Sequence, residues 1–353
     1  MIGGKSRPAD KYDKVMDPRA EEELQDAPTA STKGLDDAVA ASQEAFKSFR
    51  WSTNAERREL LLACRKVYHK VADTQLEDEL QYEDNEVKIK VILETASNHA
   101  SIVCEDSNLA EAVPKVAQVC LFHAGQICVA AKRIYVHEMI YDEFLNMLKE
   151  NKKYAIAEDA SMPLMFDPLS NRVNYEQCLD ILDDRKKNGH NIITGGEDTP
   201  DRKGFWIAPI IVTRPPEDSY LVAEEQFGKL EINMMCGFWT LTYPHAGPII
   251  PVMSWADETD VIARSNIHNG GLGASFHTPD LDRAQKIARQ LESGTVWINK
   301  SKIPHHASFV EAMKLSGYGG ELGKQALLSY CYTDISIWEV MQCKKCMRAG
   351  LFL

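Results

Sequence analysis

The sequence has no long hydrophobic run, no excess of positive charge and no cysteine framework, and each absence excludes a class of protein. No stretch approaches the roughly 20 apolar residues that cross a bilayer. The polar start, MIGGKSRPADKYDK, lacks the apolar segment of a signal peptide. The net charge of -12 argues against a nucleic-acid surface, which needs clustered Lys and Arg. Nine cysteines without regular spacing indicate reduced thiols, so we expect a cytoplasmic protein without membrane contact.

The composition is that of a folded globular protein with a sizeable core. Hydrophobic residues make up 44% and charged residues 26% of the 353 residues. Helical and extended patterns alternate, which predicts βαβ units around a mostly parallel sheet. The predicted helices lie at 35–49, 142–150, 173–187, 257–268 and 280–292, with further helices starting at a Thr53–Glu56 capping box and near Pro114. The predicted strands lie at 87–93, 102–104, 133–137, 191–194, 207–212, 271–276 and 295–299.

The segment AGQICVAAKR, residues 124–133, contains the cysteine with the most informative surroundings. Cys128 has two interpretations, a small buried hydrophobic residue or a nucleophile. A nucleophilic thiolate needs partial exposure and nearby donors. The glycine turn at Gly125 and the backbone amides after it could supply those donors to an oxyanion. Composition alone leaves both interpretations open.

Four further segments narrow the choice. GQICVAAKRIYVHEMIYDEF (125–144) resembles the active-site cysteine segment of the aldehyde dehydrogenase superfamily, and LETASNHASIVCED (93–106) resembles its general-base segment. EEQFG (224–228) is similar to the family's nicotinamide-ribose motif, and residues 272–299 are similar to the segment that closes the catalytic domain. The opening helices also match the family's pattern. All these segments occur in the family's order, which makes the resemblance specific.

The resemblance implies a fold and a reaction. The expected fold is α/β, with an aldehyde-dehydrogenase-like three-layer αβα catalytic domain and a Rossmann-like cofactor domain. Cys128 would add to a small-molecule aldehyde to give a thiohemiacetal, which would lose hydride to NAD or NADP and leave a thioester. Glu94 would activate the water that hydrolyses the thioester. Glu225 would bind the nicotinamide ribose, Phe227 would pack beside the ring, and the protein would form a homo-oligomer as the family does.

Each of these residues also has a structural interpretation. Glu94 could be a solvated carboxylate at a strand end, and Glu225 a surface charge on a loop. Phe227 could be a core aromatic residue. Cys343 and Cys346 form a single CKKC pair without a second pair, which is a weak signal, so no metal site is expected.

The family's cofactor domain is largely missing from the interior of the sequence. LEDELQYEDN runs straight into EVKIKVILE, where a typical family member has roughly 150 more residues. The family's Trp-Asn pair, Lys-Pro segment and Gly-Ser-Thr loop are all absent. We therefore predict a truncated remnant of the cofactor domain at 1–99, a catalytic domain at 100–325 with an insertion at 229–246, and a C-terminal arm and extension at 326–353.

Three functions remain compatible with this sequence. The first is an NAD(P)-dependent aldehyde dehydrogenase whose activity is impaired. The second is a cofactor-independent thiol esterase that uses Cys128 and Glu94 for the same acyl-enzyme chemistry. The third is a catalytically dead subunit that associates with a complete homologue.

Overall fold

A computed structural model gives the structure of the chain. It describes residues 2, 5, 7–9, 11–53, 55–60, 62–63, 92–95, 97–151, 167–195, 203–223, 230–234, 237–241, 247–300 and 305–330. The chain divides into two compact units. The first, here called the N-terminal unit, comprises Met1–Lys88, Pro168–Arg172 and Pro200–Trp206. The second comprises Ile89–Asp167, Val173–Thr199 and Ile207–Leu353, and is here called the catalytic unit because it contains most of the catalytic domain predicted from the sequence.

The described part of the N-terminal unit contains short antiparallel strand pairs, one long helix and the start of a second helix. Strand β1 (Lys11–Asp13) pairs with β4 (Ala27–Thr29), and β2 (Met16–Asp17) pairs with β3 (Glu22–Glu23). Helix α1 (Thr32–Phe49) begins at the Ser31 side chain, which accepts a hydrogen bond from the Gly34 amide. This helix buries none of its residues.

The predicted capping box is confirmed. The Glu56 carboxylate accepts from the Thr53 amide at 2.6 Å, and the Thr53 hydroxyl accepts from the Glu56 amide at 3.2 Å. Residues 55–60 and 62–63 after it are helical. Reciprocal capping therefore starts this helix as the sequence predicts.

A seven-stranded sheet forms the centre of the catalytic unit. Its strand order is β15-β14-β6-β7-β12-β9-β8, and every neighbouring pair is parallel except β8 with β9. The strands are β6 (His99–Val103), β7 (Ala131–His137), β8 (Asn191–Thr194), β9 (Ile210–Thr213), β12 (Ile249–Trp255), β14 (Gly273–His277) and β15 (Thr295–Ile298). The predicted α/β class with a mostly parallel sheet is confirmed.

The described part of the catalytic unit also contains seven α-helices. They are α2 (Leu109–Leu121), α3 (Tyr141–Glu150), α4 (Arg172–Asn188), α5 (Tyr220–Ala223), α6 (Glu258–Asn266), α7 (Leu281–Ala288) and α8 (Gly323–Ser329). Every residue of β6, β7 and β14 is buried, as in parallel sheets packed on both sides. One core cluster joins Ile102 and Phe276 of the sheet to Val261 of α6 and Ile287 of α7.

In the described part of the catalytic unit, four short antiparallel pairs lie outside the main sheet. They are β5 (Leu93–Glu94) with β18 (Gly317–Tyr318), β10 (Leu230–Met234) with β11 (Gly237–Leu241), β13 (Gly270–Gly271) with β17 (Met313–Lys314), and β16 (Val310–Glu311) with β19 (Gly320–Glu321). The predicted strand at 271–276 is thus divided between β13 and β14. Most of the predicted strand at 87–93 lies outside the described residues.

Helix α2 begins earlier than the sequence predicts. The prediction placed Pro114 in its first turn, whereas the helix starts at Leu109 and Pro114 is its sixth residue. The Asn108 side chain caps the helix by accepting from the Ala110 amide at 3.1 Å. A proline was therefore a misleading start signal here, because packing of the apolar face holds the helix together across the missing N–H.

Candidate active site

Cys128 lies in a sharply turned loop between α2 and β7. The chain leaves α2 through a short 3₁₀ turn at Phe122–Gly125, in which His123, Ala124 and Gly125 all have positive φ. A Cβ at Gly125 would lie 2.8 Å from the Gly247 carbonyl oxygen, so this left-handed position requires glycine. Cys128 follows three residues later and is exposed.

Three side-chain contacts hold this loop. Lys132 is buried and its ammonium donates to the Gly125 carbonyl oxygen at 2.6 Å, which closes the base of the loop around Cys128. His123 Nδ1 lies 2.8 Å from Asp167 Oδ2, and the His123 carbonyl accepts from the Gln126 side chain at 3.1 Å. The loop is therefore held at both of its ends by side chains.

Glu94 is exposed on β5, a strand of only two residues. It pairs with Gly317 of β18, and the next residue, Thr95, donates from its backbone to the Ser316 carbonyl at 3.1 Å. A Cβ at Gly317 would lie 1.7 Å from the Leu93 carbonyl oxygen. This close approach requires glycine and seats the Glu94 backbone against β18.

Glu225 and Phe227 lie outside the described residues. Helix α5, which leads into them, is described and ends at Ala223. Leu221 and Val222 of this helix are buried in the catalytic unit, so its position is set by core packing.

Burial controls the charge of several groups in the catalytic unit. It lowers the pKa of His99 to about 3 and the pKa values of His268 and His277 to about 4, so these rings are neutral near pH 7. It raises the pKa of the Cys178 thiol to about 12 and that of the Cys104 thiol well above its usual range. These two cysteines are therefore protonated, whereas Cys128 is exposed to water.

One group of potential metal ligands is present among the described residues. Ligand atoms of Cys104, Glu105 and Asp106 all lie within 4.8 Å of one another. Arg283 donates to Glu105 at 3.0 Å and to Glu258 at 2.8 Å. Its guanidinium already supplies the positive charge that balances these carboxylates, so the group is explained as an ion-pair network. No helix in the described ranges is both long and apolar enough to cross a bilayer.

Sequence reasoning missed Lys132 and Arg133, two buried basic residues of the candidate site. The signal was visible in CVAAKRIYV, where two adjacent charges interrupt a strand that is otherwise apolar. Charged side chains are almost never fully buried unless they are paired, so charges inside such a strand indicate specific partners.

The fold and this loop define a class: an α/β protein with a largely parallel sheet and an exposed cysteine at a tightly held turn. The aldehyde dehydrogenase family profile matches residues 74–232 and 242–335, which is more than half of the chain. The chain belongs to the aldehyde dehydrogenase family. The stretch between the two matched ranges, 233–241, lies inside the segment 229–246 that is predicted as an insertion.

Individual relatives agree with this assignment. The chain is 33% identical over 244 residues to a mitochondrial aldehyde dehydrogenase of Leishmania tarentolae, covering 68% of this chain and 45% of that protein. It is 31% identical over 242 residues to human retinaldehyde dehydrogenase 3, covering 68% and 43%. The chain thus spans less than half the length of these relatives.

Solved structures give the same result for the fold. The NAD⁺ complex of a Bacillus cereus aldehyde dehydrogenase superposes with a TM-score of 0.60 at 27% identity, covering 68% of this chain and 45% of that one. Lactaldehyde dehydrogenase from Escherichia coli superposes with a TM-score of 0.59 at 26% identity, covering 68% and 47%.

Proposed function

We propose that residues 100–325 form the catalytic domain of an aldehyde-oxidising enzyme in which Cys128 is the nucleophile and Glu94 the general base. The observation that carries this proposal is the exposure of Cys128 in a loop held by Gly125 and Lys132. Family membership supports it, because the segment around Cys128 matches the family's cysteine segment.

The proposed chemistry has two covalent steps. The Cys128 thiolate adds to the carbonyl carbon of an aldehyde or an activated ester. Backbone amides at the Cys128 turn stabilise the oxyanion that forms. From an ester, the alcohol or phenol leaves and the acyl group stays on Cys128 as a thioester, whereas an aldehyde would reach the thioester only if a hydride acceptor took the hydride from the thiohemiacetal. The exposed Glu94 carboxylate then takes a proton from water, which attacks the thioester and releases the carboxylic acid and the Cys128 thiolate.

NAD or NADP would be the hydride acceptor, but the described residues could not bind the whole dinucleotide. A dinucleotide's adenosine half needs helix N-termini at the carboxyl ends of parallel strands. The strands in the described part of the N-terminal unit form only antiparallel pairs of two or three residues. Glu225 and Phe227, which we propose for the nicotinamide half, lie outside the described residues. We therefore derive no hydride step, and propose that dehydrogenase turnover is impaired in this chain.

Because the described residues do not fit a whole dinucleotide, the thiol esterase is a second candidate function. Ester hydrolysis needs Cys128 and Glu94 but no dinucleotide. Stopped-flow hydrolysis of p-nitrophenyl acetate tests both candidates at once. We expect a burst of nitrophenol equal to the enzyme concentration, no burst in Cys128→Ala, and a normal burst followed by slower turnover in Glu94→Gln. Equal hydrolysis by the wild type and Cys128→Ala would leave only the catalytically dead subunit.

Calorimetric titration with NAD separates the dehydrogenase from the esterase. We expect no binding in the micromolar range by this chain alone, because the described part of the N-terminal unit offers no parallel sheet to the adenosine half. The opposite result would be a micromolar Kd for NAD together with NADH formation from an aldehyde, with this NADH formation lost in Cys128→Ala. That result would establish an unimpaired dehydrogenase.

A further inference from the structure

Asn98 is a buried residue in a strained conformation between β5 and β6. It is 4% exposed, and its φ of 122° lies in the region that favours glycine. Its backbone carbonyl accepts two hydrogen bonds from Arg133, from Nε at 3.1 Å and Nη2 at 2.9 Å. Its side-chain Nδ2 donates to the Val222 carbonyl at 3.1 Å. A strained residue persists only where its surroundings determine it, and these three bonds do so.

Arg133 is 1% exposed and occupies the third position of β7. Besides its two bonds to Asn98, it donates to the carbonyls of Ser265 and Arg264 at 3.1 and 3.0 Å and to the Tyr135 hydroxyl at 3.2 Å. These five contacts match the five N–H donors of a guanidinium. These contacts fix the position of the planar guanidinium, and its two bonds to the Asn98 carbonyl fix the position of that carbonyl in turn.

These contacts join three segments that are distant in the sequence. Asn98 follows Glu94 by four residues, Arg133 follows Cys128 by five, and Val222 precedes Glu225 by three. Glu94 lies on a strand of only two residues, which by itself determines its register weakly. The Asn98–Arg133 contact adds a second, buried anchor on the other side of Glu94.

We propose that Arg133 and Asn98 are positioning residues, which hold the Glu94 segment and the end of α5 in register with the Cys128 loop. This inference rests on the proposed function, in which Cys128 and Glu94 act on one substrate. The contacts of Asn98 with Arg133 and Val222 are here called the junction. Loosening the junction slows deacylation, the step that needs both groups, more than it slows a reaction of the Cys128 thiol alone.

Two variants cut the junction at different bonds, and one variant serves as the control. Arg133→Lys keeps the positive charge but cannot donate twice to the Asn98 carbonyl. Asn98→Gly keeps that carbonyl and suits the positive φ, but removes the bond to Val222. The control is Arg264→Lys, because Arg264 is also a partly buried arginine and donates to Glu217 at 2.8 Å and to the Ser254 carbonyl at 2.9 Å, not to Asn98.

Three measurements on the full chain test the proposal: amide hydrogen exchange, alkylation of Cys128 by iodoacetamide, and deacylation after the p-nitrophenyl acetate burst. In Arg133→Lys we expect faster exchange across 92–98 and deacylation slowed at least about tenfold, with the alkylation rate within about twofold of wild type. In Asn98→Gly we expect faster exchange across 220–223 only. Arg264→Lys changes neither segment.

The outcomes separate the two proposals. Exchange across 92–98 that is the same in Arg133→Lys and Arg264→Lys would overturn the inference, as would equal slowing of alkylation and deacylation. A wild-type chain that gives no burst would overturn the proposed function instead, and the exchange data would still decide whether the junction holds the Glu94 segment.

Discussion

The four cysteines in the described ranges differ in what surrounds their sulfur atoms. Cys104, Cys120 and Cys178 are buried, and Cys128 is exposed. Burial disfavours a thiolate, which raises the pKa of Cys104 and Cys178. The thiolate is the form that attacks an electrophile, so we expect Cys128 to be the most reactive of these four cysteines.

Brief treatment with iodoacetamide at pH 8 is therefore expected to modify Cys128 and to leave Cys104 and Cys178 intact. Peptide mapping by mass spectrometry measures the modified fraction at each site. The same treatment in urea is the control, because unfolding exposes the thiols of Cys104, Cys128 and Cys178 alike. Modification of Cys178 as fast as Cys128 in the folded chain would contradict the predicted difference.

Buried histidines make the stability of the catalytic unit depend on pH. The rings of His99 and His277 have folded pKa values of about 3 and about 4, below the unfolded value of about 6.5. Between pH 6.5 and 4 the unfolded chain binds protons at these rings and the folded chain does not. The free energy of unfolding therefore falls as the pH falls, by about 1.4 kcal/mol per pH unit for each ring.

His277→Gln removes one of these titrations, so its stability is expected to decline less steeply than that of the wild type between pH 6.5 and 4. Urea unfolding followed by tryptophan fluorescence at pH 7, 6 and 5 measures the slope. The difference between the two slopes corresponds to one proton. Parallel slopes would mean that His277 is protonated in the folded chain as well.

At the scale of elements, α1 and α3 illustrate two fates of an amphipathic helix. Both have an apolar stripe, but α3 buries Tyr141, Phe144 and Leu148 in the catalytic unit, whereas α1 leaves Phe46 52% exposed and Phe49 43% exposed. Helix α1 therefore leaves its apolar face largely uncovered. Most helix stability in proteins comes from such packing, so α1 has little of that support.

Phe46→Ser is expected to change the free energy of unfolding by less than about 0.5 kcal/mol, because the side chain is half in water. Phe144→Ser in α3 is the matched control and is expected to cost about 3–5 kcal/mol or more, because its side chain is fully buried. Urea unfolding followed by circular dichroism compares the two. A comparable loss in both variants would show that a partner covers α1 in solution.

At the scale of the whole molecule, the described residues of the predicted insertion, 230–234 and 237–241, form no strand pair with the central sheet. Within this insertion, β10 and β11 pair as a separate two-stranded sheet, and the main sheet resumes at Ile249 of β12. An isolated hairpin of this kind has little stability of its own. The family profile also passes over 233–241, so the family's fold does not depend on these residues.

Deletion of 229–246, which joins Gly228 to Gly247, is therefore expected to leave the catalytic unit folded. Shortening a loop changes its closure entropy by only about 0.6 kcal/mol for each halving of its length. The urea midpoint of the catalytic unit and the Cys128 alkylation rate measure the effect. Loss of cooperative unfolding in the shortened chain would mean that the hairpin supports the core.

Periodicity predicted most elements of the catalytic unit, including β8 at 191–194, α3 and the parallel sheet itself. It erred where a local signal was ambiguous, as at Pro114, and at helix ends such as Ala288, where the predicted helix continued to 292. Helix ends are decided by caps and tertiary packing rather than by the period of apolar residues, so a pattern alone places them poorly.

The candidate site was likewise predictable from the sequence only in part. The sequence by itself determined the family, and it predicted which segments carry the chemistry, because the order of the motifs around Glu94 and Cys128 is a property of the chain. Only the tertiary structure decided that Cys128 is exposed and that the adjacent Arg133 is buried against Asn98. These facts depend on contacts between residues 35 positions apart and more, and burial and hydrogen bonding across such separations arise only when the strands assemble into the sheet.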